Sequence, residues 1–145
     1  MEKCHAVAAL YVSTIRAIYL VHQSSHWLSK GPTFYGDHLL FERLYKGAAD
    51  DVDAAAEKMI GVFGEDCLNY TMINDLTNKV LIRYSNEDNL FNRSLKIEVD
   101  FLKFSKEVYE CFDKEGKLTL GLDDFLMATA SKHEESIYLL KQRAT

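Results

Sequence analysis

The chain is poor in helix breakers: its 145 residues include one proline and seven glycines. Long stretches free of them favour an all-α fold. Cysteine is scarce too. Cys4, Cys67 and Cys111 are odd in number, widely spaced and include no Cys-x-x-Cys. That pattern fits reduced thiols in a cytosol better than a disulfide framework. No uninterrupted apolar run reaches the length of a membrane span, because Arg16 and scattered Ser, Thr and His residues break the N-terminal segment. No clear cleavage pattern follows it, so the expectation is a mature chain starting at Met1 and staying in the cytoplasm. Internal repeats, low-complexity segments, a Gly-rich phosphate loop and a nucleophile elbow are all missing. So is a basic tail: only Lys3 precedes the first helical pattern, and the far end offers Lys141 and Arg143. With a net charge of −5 and a pI near 5.5, this argues against DNA binding without a bridging cation.

Apolar residues make up 48% of the chain and charged residues 27%, which is ordinary for a globular protein. The length predicts a single domain, residues 1–145, with a substantial core. In residues 1–28, Val7, Tyr11, Ile15, Ile18, His22 and His26 step by three and four along one helical face. Gly31-Pro32 then stops the helix. A second helix is expected over 34–62, with Leu40, Phe41, Leu44 and Met59 as apolar contacts and Asp50 and Asp51 on a solvated face. The pattern weakens over 64–88, where asparagines favour turns and 72–81 could form a short helix. A third long helix is expected over 87–114, with Ile97, Phe101, Phe104, Val108 and Cys111 facing inward and Gly116 just past its end. A fourth is expected over 121–143, lined by Leu122, Leu126, Thr129, His133, Ile137 and Leu140. The long connection after the second helix permits the second and third long helices to run parallel.

Chemistry concentrates between His26 and Glu57. His38, Glu42, Asp53 and Glu57 form two i,i+4 pairs on one stripe of the second helix. Imidazole and carboxylate are the ligand set of iron, zinc or manganese. The pairs stand roughly 16 Å apart along the helix, against a metal–ligand bond of about 2 Å. One helix therefore cannot close a site with all four. The pairs are nonetheless symmetric about a point between Gly47 and Ala48. An antiparallel copy across a two-fold axis there would bring His38 and Glu42 of one chain beside Asp53 and Glu57 of the other, twice per dimer. The small residues Gly47, Ala48 and Ala49 would let the helices approach closely.

The same stretch resembles the signature of the Dps family of miniferritins. The residues that carry the resemblance are His26-Trp27, Lys30-Gly31-Pro32, Phe34, His38, Phe41-Glu42, Tyr45, Asp53 and Ala56-Glu57. Later, Asp124-Phe125-Leu126, His133-Glu134 and Leu139-Leu140 are similar to that family's last helix. The resemblance implies a ferritin-like four-helix bundle with a short extra helix in the crossover between the second and third helices. It implies a hollow dodecamer whose ferroxidase centres lie at two-fold interfaces. Carried over by position, the iron ligands and catalytic residues are His26, His38 and Glu42 of one chain with Asp53 and Glu57 of its mate. Fe(II) would be oxidised by hydrogen peroxide or O₂ and stored as Fe(III), protecting against oxidative damage. One departure is Glu42, where the family commonly has aspartate; the extra methylene bears on iron geometry. The resemblance also offers Asp123 and Asp124 as pore-lining acids, against a plain role in the first helical turn. His133 reads as a structural histidine, and His22 as buried or supporting the site.

A pair of Glu-x-x-His motifs on two helices, the ligand source of intrasubunit di-iron sites, is absent. That adds weight to an intersubunit site. The alternative is a Dps-like structural shell with little or no iron activity. Leu39, Leu40 and Arg43 stand near the ligands, where many relatives carry further acids.

Overall fold

A computed structural model describes Glu2 to Ala144. Five α-helices follow one another: α1 (Lys3–Leu28), α2 (Phe34–Phe63), α3 (Tyr70–Ile82), α4 (Leu90–Lys114) and α5 (Leu120–Ala144). A single 3₁₀ turn, Glu65–Cys67, follows α2. Among the described residues there are no strands. The architecture is the expected ferritin-like four-helix bundle, built from α1, α2, α4 and α5, with α3 inside the crossover.

Cross-helix contacts fix the directions. His26 meets His38 and His5 meets Phe63, so α1 and α2 are antiparallel. Tyr11 meets Phe101 and His22 meets Glu98, so α1 and α4 are antiparallel as well. It follows that α2 and α4 run parallel, which the long crossover permits. α3 packs on α1, where the Thr77 hydroxyl donates to the Ser13 carbonyl at 3.4 Å.

By length and mean hydropathy, α1 is apolar enough to cross a membrane, despite the interruption at Arg16. In this fold its apolar face lies inside the bundle. Tyr11, Ile15 and Ile18 are fully buried among Met59, Ile97, Phe101 and Leu122. A smaller cluster, Phe41, Leu44 and Leu140, closes the bundle near the α1–α2 turn.

Local chemistry sets the helix ends. The chain's one Glu-x-x-His, Glu2 to His5, serves as a cap: the Glu2 carboxylate accepts from the amides of Cys4 and His5 at 3.1 and 3.2 Å. Asn69 caps α3 and Asn89 caps α4. At the end of α4, Gly116 takes φ +68° in the expected C′ position. The Lys117 amide then donates to the Phe112 carbonyl and the Gly116 amide to that of Asp113, at 2.9 and 3.0 Å.

One sequence expectation needs correction. Asp51 is buried, not solvated, because Lys132 and His133 on α5 close over it. Within the chain Ala48 joins the core, and Gly47 lies against the Lys132 side chain.

Candidate metal centre

The turn at Gly31-Pro32, with Gly31 at φ +94°, folds α2 back along α1. This brings His26 and His38 together near the turn. Their rings stack at 3.6 Å with an interplanar angle of 21°. Each ring anchors on the other residue's backbone. His26 Nδ1 donates to the His38 carbonyl at 2.8 Å, and His38 Nδ1 donates to the His26 carbonyl at 3.0 Å. A carbonyl can only accept, so both rings must carry a proton on Nδ1. In the neutral ring the Nε2 lone pair is then free for a metal, the tautomer a ligating histidine needs. Phe34 stacks on the outer side of His38 at 4.9 Å, and Tyr45 meets His26 edge-on at 5.2 Å. The imidazoles are thus locked in an aromatic column.

The other expected ligands are not brought to this pair within the chain. Glu42, one turn along α2, is half-buried and pairs with Lys46 at 3.2 Å. Asp53 and Glu57 lie further along the same helix and are exposed. Among the described residues, no group of three or more His, Cys, Asp or Glu side chains could hold a metal ion.

A second polar cluster, in the bundle interior, escaped the sequence reading. It draws one ionisable side chain from each long helix: His22, Asp51, Glu98 and His133. His22 Nε2 donates to Glu98 Oε1 at 2.8 Å, while its Nδ1 meets the Ser94 hydroxyl at 3.0 Å. His133 donates from Nδ1 to Glu98 Oε2 at 2.7 Å and from Nε2 to Asp51 Oδ2 at 2.8 Å. Lys132 Nζ completes the file on Asp51 Oδ1 at 2.7 Å.

Burial alone would raise the Glu98 pKa, but the bonds from His133 and His22 outweigh it and hold the carboxyl at about 2. Burial works against a charged His133, yet its bonds to Asp51 and Glu98 carry it up to about 9. Burial likewise opposes the Asp51 charge, and the bonds from His133 and Lys132 prevail, lowering its pKa. His133 thus sits as an imidazolium between two carboxylates. Each N–H of this file points along a line to one oxygen, a hydrogen-bonded chain and not a converging ligand set. The sequence signal was present but indirect. His22 follows Ile15 and Ile18 on the buried face, Glu98 lies one turn from Ser94 and Phe101, and Asp51 falls between the buried Ala48 and Ala55.

No protein-family model matches the chain, and no curated protein matches it by sequence. Solved structures do match. A Dps protein from Bacillus brevis superposes with a TM-score of 0.82 at 18% identity, covering all of both chains. The fold is the Dps fold. Dps from Thermosynechococcus elongatus gives a TM-score of 0.82 at 17% identity, over 99% of this chain and 91% of that one. Dps from Vibrio cholerae O1, described as a member of a broad superfamily of ferritin-like diiron-carboxylate proteins, gives 0.80 at 13% identity, over 99% and 89%.

Proposed function

We propose that this chain is the subunit of a Dps-type shell that binds and oxidises Fe(II) between subunits, in the cytoplasm. The observation that carries the reading is the stacked His26–His38 pair, with both Nδ1 atoms engaged on backbone carbonyls, which leaves the ring lone pairs on Nε2. Two aligned imidazoles supply too few donors for an iron site, and among the described residues no further ligand group converges on them. Asp53 and Glu57, exposed on the same helix, are the carboxylates that a two-fold mate would deliver. Large apolar side chains beside the pair support a covering partner: Trp27 is 67% exposed, Tyr35 73% and Leu39 41%.

In this reading Fe(II) is the substrate. The carboxylates offset its charge, and the imidazoles, fixed by their backbone anchors, bind without reorganising. Hydrogen peroxide or O₂ takes the electrons; one peroxide accepts two, one from each of two Fe(II), and leaves as water. The Fe(III) product collects inside a hollow dodecamer, which consumes iron and peroxide together. Asp123 and Asp124 at the start of α5 are the candidate pore acids.

Stopped-flow oxidation of Fe(II) by peroxide tests this. His26→Ala and His38→Ala should each slow oxidation by about tenfold or more while the shell stays assembled. Wild-type rates in both variants would end the assignment.

One observation favours a shell with weak iron activity. Lys46 already holds Glu42, so iron must compete with an ion pair, and the exposed Arg43 nearby pairs with Glu135. Anaerobic Fe(II) titration separates the two readings: the iron reading requires saturable binding that is lost in His38→Ala.

A further inference from the structure

The start of α2 lacks the usual means of holding a first helical turn. Thr33 occupies the N-cap position, yet its side chain caps no amide. Gly36 lies within that turn and brings the freest backbone of any residue. Local sequence alone leaves this turn weak. It nonetheless carries Phe34, which stacks on His38, and leads directly into His38 itself.

What holds the turn comes from the far end of the chain. Arg143, in the last turn of α5, donates from Nε to Asp37 Oδ1 at 2.5 Å and from Nη2 to Asp37 Oδ2 at 2.9 Å. The same Nη2 donates to the Thr33 hydroxyl at 3.0 Å, and that hydroxyl donates on to Asp37 Oδ2 at 2.8 Å. The Arg143 guanidinium lies over the Phe91 ring at 4.3 Å, and Phe91 packs on Phe41 of α2 with ring centroids 4.9 Å apart. Asp37 is buried, and Arg143 reaches it from the surface. We propose that Arg143 is a positioning residue of the metal centre: by gripping Asp37 and Thr33 it fixes the first turn of α2, and with it the place of His38. The proposal rests on the iron reading, because the place of His38 matters to activity only where its ring takes metal.

Asp37 precedes His38 directly, so a shift of the Asp37 backbone passes to His38 through the main chain. The His38 ring has its own anchors in the His26 carbonyl and two stacked neighbours, and these set its plane against α1. The Arg143 fork does something else: it ties the start of α2 to α4 and α5. Two carboxylate oxygens, one hydroxyl and one ring face define the guanidinium, an arrangement that the single nitrogen of a lysine cannot reproduce. Without the guanidinium, the buried Asp37 carboxylate is drawn towards water, which loosens the turn that leads into His38. A metal ligand must stay within about 0.5 Å of its productive place, a tolerance that a fraying turn exceeds. Asp37, Thr33 and Phe91 are not candidate ligands, so Arg143 acts on the metal only through the helix.

The test uses the full-length assembled protein. Arg143→Met keeps the stem over Phe91 and removes the fork. Thr33→Val removes one hydroxyl, which caps nothing, and leaves α5 untouched. Anaerobic Fe(II) titration, and oxidation by hydrogen peroxide at varied Fe(II), give the metal readout. In Arg143→Met the half-saturating Fe(II) concentration should rise about tenfold, while the rate at saturating Fe(II) stays close to wild type. Thr33→Val should move it in the same direction by less. Arg143→Lys, which restores the charge without the fork, should fall between wild type and Arg143→Met. Amide hydrogen exchange on chelator-stripped protein, read by mass spectrometry, gives a readout free of iron. Amides of residues 34–41 should exchange faster in Arg143→Met, and those of 48–63 should keep their wild-type rates. Unchanged half-saturation in both Arg143→Met and Thr33→Val, or faster exchange spread evenly along α2, would overturn the proposal and leave the iron reading intact. Wild-type protein that binds no Fe(II) would instead remove the iron reading, and the proposal with it. If Arg143→Met does not assemble, Thr33→Val carries the test, because both readouts apply to it.

Discussion

The imidazolium of His133 is what permits Glu98 and Asp51 to be buried as anions. Replacing it with glutamine removes the cation shared by the two interior carboxylates, leaving Asp51 to Lys132 and Glu98 to His22, at a cost of about 3–5 kcal/mol. The pH dependence gives a sharper test. His133 has its pKa raised from 6.5 to about 9, so its contribution is complete below 6.5 and fades as pH climbs through 9. Glu98 is lowered from 4.5 to about 2, so its share is complete above 4.5 and fades as pH falls towards 2. Both contribute fully between 4.5 and 6.5. Urea unfolding of wild type and His133→Gln should therefore show a large gap near pH 6 that narrows by pH 9. Parallel curves across that range would mean that His133 is not charged in the fold. Residue-scale legibility was uneven for a physical reason. His26 and His38 were joined as ligands by the family motif and their short spacing in the chain, which is local information. Asp51 read as solvated because its partners, Lys132 and His133, lie some eighty positions away and reach it only once α5 docks.

At the scale of elements, the helices were legible and their ends less so. Apolar periodicity placed the four long helices, the resemblance supplied the short one, and the length of the crossover permitted the parallel pair. The start of α3 was expected two residues late, because Asn69 read as a turn former when it is a cap, and that of α4 three residues early, because Asn89 was taken into the helix that it caps. The same side chain serves both ends, since its carbonyl satisfies a free amide in either setting. The stop at Gly116 could be read directly, because a helix end followed by a positive-φ position calls for glycine. An added Cβ at Gly116 would meet nothing within 4 Å, so Gly116→Ala isolates the backbone cost. It should destabilise by about 1–2 kcal/mol and lower Tm by a few degrees for a chain of this size. An unchanged melting curve would show that the turn relaxes to another closure.

For the whole molecule, charge and assembly give the decisive tests. The 145 residues carry −5, so a shell of such subunits would multiply a negative field. No retardation of duplex DNA is expected at neutral pH and physiological salt without divalent cations; a salt-sensitive shift in a mobility assay would reveal a basic patch. Assembly itself can be probed through the site. Suppose His38→Ala and Asp53→Ala are made separately. If His38 of one chain works with Asp53 of its mate, every site in each homo-oligomer is damaged, and both oxidise Fe(II) slowly. When the subunits are unfolded, mixed and reassembled, a mixed dimer pairs the intact His38 of one variant with the intact Asp53 of the other. That site is wild type, and its twin carries both lesions. Random pairing makes half the dimers mixed, so about a quarter of all sites should recover. A site confined to one chain recovers nothing, because each chain keeps its own lesion. Native mass spectrometry establishes that mixing occurred, and the oxidation rate then decides. A rate at the homo-oligomer baseline rejects the cross-interface assignment, whereas recovery near a quarter places the histidine and the carboxylate on opposite chains.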